Sequence, residues 1–306
     1  MIQIILLVLG FILLIIHQYI YPISNNTQYI IFFVGILFLG VPHGAADLLV
    51  AIQNEGVKKF SKLKFFVVYI SRLILFALIL YLLPIVGILL FIIFAAYHFG
   101  ETDLFKFKTN TITGKLFTAS YGLVILSIIL INHFEEAKPI FLLFEAGKAN
   151  LNILNFVDAH RLLIMSLCCI VFFIATFVYF LFNNNFNQKD KGVFLIYFAC
   201  LVLLLFNMPM ILGFTFYFIS WHSLLSIKNI INYLKTDNKI KAIITQIIFY
   251  SSIAIVGIII FGYSAFLYAN NNAMAGYIFL GLAVLTAPHM EVMGKMYTRI
   301  RHIKGL

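Results

Sequence analysis

The stretch GVPHGAAD, Gly40 to Asp47, places a proline, a histidine and an aspartate inside the apolar run YIIFFVGILFLGVPHGAADLLVAI. Histidines and carboxylates are costly in hydrocarbon and usually mark function where they occur there. The pattern recurs. IIFAAYHFGETD carries His98, Glu101 and Asp103; FYFISWHSLLS carries His222 beside Trp221, the only tryptophan; LTAPHMEVM carries His289 and Glu291. Neutral imidazoles suit Zn, Cu, Fe or Ni. Four of them without thiolates leave two positions of an octahedron open, as an Fe(II) that must bind O2 requires. A closed four-histidine zinc tetrahedron is a structural site, and nothing in the chain calls for one. Asp47 follows His43 by one helical turn, on the same face. It and Glu101, Asp103 and Glu291 are expected to orient imidazole N–H groups; direct ligation or a plain interfacial charge are the alternatives.

The elements that carry these residues must be membrane helices. Of 306 residues, 63% are hydrophobic and 10% charged, and mean hydropathy is +1.05, whereas a soluble domain carries roughly 25% charged residues. So few charges cannot cover a water-facing surface. A bilayer core takes about 20 apolar residues as a helix. By that measure the sequence predicts about ten spans, near 1–21, 28–52, 65–83, 85–101, 116–132, 161–182, 192–207, 209–227, 242–262 and 275–294. The third and fourth are joined by a tight turn at Pro84, the seventh and eighth at Pro209. The runs lack period-two alternation, and lipid admits only helices or closed barrels, so the expected fold is an all-α, polytopic helix bundle forming one integral membrane domain over residues 1–306. The first run has no basic n-region or small-residue cleavage site and reads as a span rather than a signal peptide. Cys168, Cys169 and Cys200 sit in apolar runs without C-x-x-C spacing and read as small apolar filler.

The net charge of +10 is distributed as cytoplasmic loops are, in short basic segments between apolar runs, which argues against nucleic-acid binding. With the N-terminus inside and ten alternating spans, 17 of the 21 Lys and Arg residues fall on the cytoplasmic side, leaving Lys138, Lys148 and Arg161 outside and Arg72 within a helix. The positive-inside rule therefore predicts both termini in the cytoplasm. The polar segment from His133 to His160 reads as interfacial, a surface helix rather than a lid.

That topology sets a depth for the histidines. All four of their helices run toward the cytoplasm, and His98, His222 and His289 each precede the next cytoplasmic lysine by ten residues or fewer. A lone membrane histidine commonly just hydrogen-bonds a neighbouring helix. Four at matched depth, three with a carboxylate within five residues, point instead to a shared metal site in a bundle core. Pro42 and Pro288, directly before two of them, remove helical hydrogen bonds. His17, His133, His160 and His302 fall near segment ends or in the basic tail and read as interfacial or solvated.

The order PHGAAD, YHFGETD, WHS and PH on a ten-segment, basic-inside chain resembles the bacteriorhodopsin-related-protein family of microbial membrane β-carotene 15,15′-dioxygenases. The resemblance implies a non-haem iron enzyme of the cell (inner) membrane that splits β-carotene with O2 into two retinal molecules, the product going to a microbial rhodopsin. His43, His98 and His222 match its metal-ligand histidines. The sequence departs from the pattern where a second histidine is expected one turn after WHS; that position is Ser226, and His289 is expected to complete the set. Tyr97, Trp221, Tyr217 and Phe218 are expected to line a tunnel for the polyene. The competing classes are another membrane metalloenzyme acting on a lipid, which would usually show H-x-x-x-H, H-x-x-H-H or H-E-x-x-H boxes absent here, and a proton- or ion-coupled transporter using the same groups.

Overall fold

The computed structural model describes residues 2–56, 60–142, 148–183, 188–235, 239–268 and 274–304. Of the basic residues in the charge count, Lys58, Lys59 and the side chains of Lys148, Lys189 and Lys304 lie outside that description. The described residues form helices and no strand: α1 (Ile2–Ile20), α2 (Asn25–Glu55), α3 (Lys62–Leu82), α4 (Pro84–Asp103), α5 (Ile112–Ile131), α6 (Phe134–Leu142), α7 (Lys148–Ala159), α8 (Arg161–Phe182), α9 (Gln188–Asn207), α10 (Met210–Leu234), α11 (Ile240–Tyr268) and α12 (Met274–Lys304). Nine of these are long and apolar enough among the described residues to cross a membrane. They correspond to the first nine expected spans. The tenth falls on α12.

Local chemistry explains the boundaries. Pro84 opens α4 at its first turn, where the missing N–H costs nothing, and Pro209 caps α10. The Ser24, Ser61 and Thr111 side chains accept from the backbone N–H groups of Thr27, Lys64 and Gly114, as N-caps do. The expected interfacial segment forms the two short helices α6 and α7; residues 143–147 between them lie outside the described range.

Burial ranks the helices. In α10, 78% of the apolar span is buried, in α5 67% and in α4 44%, against 11% in α3. α10 is therefore the axis of the bundle and α3 a lipid-facing flank. α4 and α5 approach closely because Gly100 lies against the Thr118 carbonyl and Gly122 against the Ala96 carbonyl, the small-residue packing that substitutes for a hydrophobic driving force between helices in lipid. Four helices contain wide, π-type turns: Ile16–Ile20, Ile36–Gly40, Ser127–Ile131 and Thr215–Ser223. Such turns are rare and concentrate at functional sites. The second and fourth lie on the two helices that carry His43 and His222.

Candidate metal centre

Each imidazole arrives by a different local route. On α2 the wide turn Ile36–Gly40 ends just before Pro42, which has no N–H to give the helix, and His43 follows at once. His98 sits in α4 among Ala95, Ala96 and Gly100, whose small size lets neighbouring helices close around it. His222 lies inside the nine-residue wide stretch of α10, and His289 follows Pro288 in α12.

The four rings meet in a closed cycle. Ring centroids are 4.9 Å apart for His43–His289, 4.9 Å for His289–His98, 4.8 Å for His98–His222 and 5.6 Å for His222–His43, each pair nearly perpendicular. One nitrogen each from His43, His98 and His289 lie within 4.8 Å of one another. All four histidines are buried. Phe99 packs 4.8 Å from His222. Phe218, partly exposed, lies 5.9 Å from His43 and stacks on His222 at 6.0 Å.

The donor chemistry of this cycle fits a metal ion. His43 Nδ1, both nitrogens of His98, both of His222 and His289 Nε2 are buried without a protein hydrogen-bond partner. An unsatisfied buried polar atom costs about 1–3 kcal/mol, so six in one cluster would be a heavy burden for a purely structural site. One nitrogen of each ring can give its lone pair to a cation, which relieves four of the six; the second nitrogens of His98 and His222 keep their N–H groups.

The carboxylates divide. Asp47 Oδ1 accepts from His289 Nδ1 at 2.7 Å, and its Oδ2 accepts from the Tyr69 hydroxyl at 2.9 Å. The other three have partners away from the imidazoles. Glu101 is buried against Arg301 at 2.9 Å. Glu291 pairs with Arg72 and, at 2.9 Å, with Lys295. Asp103 Oδ2 accepts from Tyr121 at 2.8 Å, Trp221 Nε1 at 3.0 Å and Tyr217 at 3.1 Å.

The aromatic residues expected to line a tunnel separate in the same way. Phe218 stands beside two imidazoles. Trp221 and Tyr217 are fully buried and turn their polar ends to Asp103 instead, and Tyr97 has Glu101 and Arg301 as its electrostatic neighbours. Asp103 thereby ties α4, which carries His98, to α10 beside His222. Asp103→Leu, which strands three buried donors, is expected to cost about 3 kcal/mol or more, read as a lowered thermal midpoint of the purified protein in detergent. Sequence reasoning missed Phe99, Tyr69, Tyr121 and Arg301. Only Arg301 carried a signal, its charge, and it was counted with the cytoplasmic tail.

Comparison with known proteins gives this geometry a context. The family model described as beta-carotene 15,15′-dioxygenase matches residues 34–297. The chain belongs to that family. A curated β-carotene 15,15′-dioxygenase from an uncultured marine bacterium (66A03) is 27% identical over 259 residues, covering 83% of this chain and 89% of the relative. No solved structure matches.

The dioxygenase-family match takes in all four histidines, Asp47 and Tyr69, and ends before Arg301. Within it, Ser226 is fully buried one turn beyond His222. His289 reaches the cycle from α12, so four imidazoles meet without a histidine at position 226.

Proposed function

We propose that this chain cleaves the central 15,15′ double bond of β-carotene with O2, giving two molecules of all-trans-retinal. The observation that carries the reading is the buried cycle of four imidazoles, in a bundle of the family named for that reaction. His43, His98, His222 and His289 would hold Fe(II), each through one nitrogen that lacks a protein partner. When bound, the iron supplies the redox capacity to activate O2, which does not readily attack a closed-shell polyene unaided.

The chain's own residues do the rest. Asp47 accepts the Nδ1–H of His289 and so leaves the Nε2 lone pair facing its neighbours. Phe99 and Phe218 exclude water and offer flat apolar faces beside the imidazoles. Phe218, partly exposed, is the face a hydrocarbon arriving from lipid would meet first. Through Trp221 and Tyr217, Asp103 holds the wide stretch of α10 in place. One C=C and one O=O bond break and two C=O bonds form, so the reaction draws no proton or electron from outside. Substrate and product both dissolve in the bilayer, which is where such an enzyme gains by sitting. The lysine distribution supports a multi-pass protein with both termini in the cytoplasm; the inner cell membrane as its place, and a microbial rhodopsin as the recipient of its retinal, rest on the family resemblance.

Expression in a β-carotene-accumulating bacterium, with the extracted pigments separated by HPLC, tests the reading. Loss of carotene with matching retinal is expected. Intact carotene beside abundant, iron-loaded protein would sink the reaction and favour another lipid substrate; abundant protein that holds no iron would favour a transporter.

A further inference from the structure

α3 supplies no imidazole and is the least buried of the nine candidate spans, yet two of its polar residues converge on the segment that carries one. Tyr69 and Arg72 are three apart and share a helix face. The Tyr69 hydroxyl donates to Asp47 Oδ2 at 2.9 Å, while Asp47 Oδ1 accepts from His289 Nδ1 at 2.7 Å. Arg72 pairs with Glu291, two residues beyond His289. Both side chains therefore act on the short segment that presents this imidazole.

We propose that Tyr69 is a positioning residue: by fixing the plane of the Asp47 carboxylate it aims His289 Nε2 at the other three imidazoles, so that lipid-facing α3 sets the affinity of the metal centre. The proposal deepens the reading above and rests on its metal centre, not on its carotenoid. A carboxylate held at one oxygen only can turn about its Cβ–Cγ bond and carry the imidazole with it. Held at both, it cannot. His289, like His43, follows a proline, where the helix lacks a backbone hydrogen bond, so its direction is not fixed by the helix alone. No other of the four has a carboxylate at hydrogen-bond distance among the described contacts. Outer partners of this kind typically govern metal affinity by about 10–100-fold.

The test uses the purified full-length chain in detergent, stripped of metal and titrated with Co(II), whose visible absorption reports both occupancy and ligand geometry. Tyr69→Phe keeps the ring and removes only the hydroxyl. It is expected to weaken Co(II) binding about 10-fold and to alter the absorption envelope. Tyr81→Phe is the control. It lies on the same helix, twelve residues and roughly 18 Å beyond Tyr69, with its side chain exposed, and loss of its hydroxyl should change neither. The proposal is overturned if Tyr69→Phe binds Co(II) as tightly as the parent with the same spectrum, or if both variants weaken alike. Tight Co(II) binding by the parent with a Tyr69 effect, but no retinal from carotene, would sustain this inference while the carotenoid reading fell.

Discussion

Alanine at any one of His43, His98, His222 or His289 is expected to cut retinal formation at least 100-fold, with the protein still present in the membrane. Loss of a ligand should exceed the roughly 10–100-fold that loss of an outer partner costs. The cycle also says why no histidine is spare. Each ring touches two others and each comes from a different helix, so no neighbour on the same helix can swing in to replace it. His289→Ala is the most informative of the four, because position 226, one turn after His222, holds a serine. Full retinal yield from His289→Ala would remove it from the ligand set. His302→Ala, at an exposed position near the end of α12, serves as the control and should match the parent. Pigment yield normalised to immunoblotted protein, with iron content of the purified variants, separates a lost ligand from lost protein.

The second large effect is on stability. Gly122→Ala would drive a methyl group into the Ala96 carbonyl, and Gly100→Ala one into the Thr118 carbonyl. The obstacle in both cases is backbone, which cannot rotate aside as a side chain can. α4 and α5 must separate, and besides the Tyr121–Asp103 hydrogen bond it is close packing that draws them together in lipid. A cost of about 3 kcal/mol, the upper end for overpacking, is expected. Gly192→Ala, where an added Cβ meets nothing within 4 Å, should instead be neutral or gain about 0.5–1 kcal/mol of helix stability. Thermal midpoints from size-exclusion profiles in detergent would show the contrast. Equal midpoints for Gly122→Ala and the parent would mean that α4 and α5 are not packed through these glycines. Because α4 carries His98, the same variants should also lose iron.

The bundle and its histidine layer were legible because hydropathy, lysine position and histidine depth are one-dimensional quantities, and a membrane converts depth into structure. What was not legible is direction around a helix. Asp47 was expected on the face of His43, one turn away. Both side chains meet His289 on α12; which imidazole the carboxylate holds, its neighbour in sequence or one from another helix, was what spacing left open. Trp221 and Tyr217 sit in a stretch wound more widely than 3.6 residues per turn, so spacing could not show that both aim at Asp103 rather than at a substrate. Arg301 looked like one more cytoplasmic charge. α12, however, runs on to Lys304, and its last turns pack Arg301 against Glu101, a pairing 200 residues apart in sequence.

The wide stretch of α10 has a consequence for how such a chain can change over time. A π-type turn holds one residue more than an α-turn of similar length, so it works as a stored insertion. Losing a single residue between Thr215 and Phe218 could therefore be absorbed by a return to α-winding, with the helix beyond keeping nearly its direction. A residue lost from α4 ahead of His98, which is α-wound throughout, has no such reserve: it would swing everything beyond by about 100°, the angle per residue of an α-helix. His98 would leave the cycle while the hydropathy profile stayed almost untouched. A descendant could thus keep its membrane fold and shed its chemistry through one codon on α4, where the same loss on α10 is cushioned.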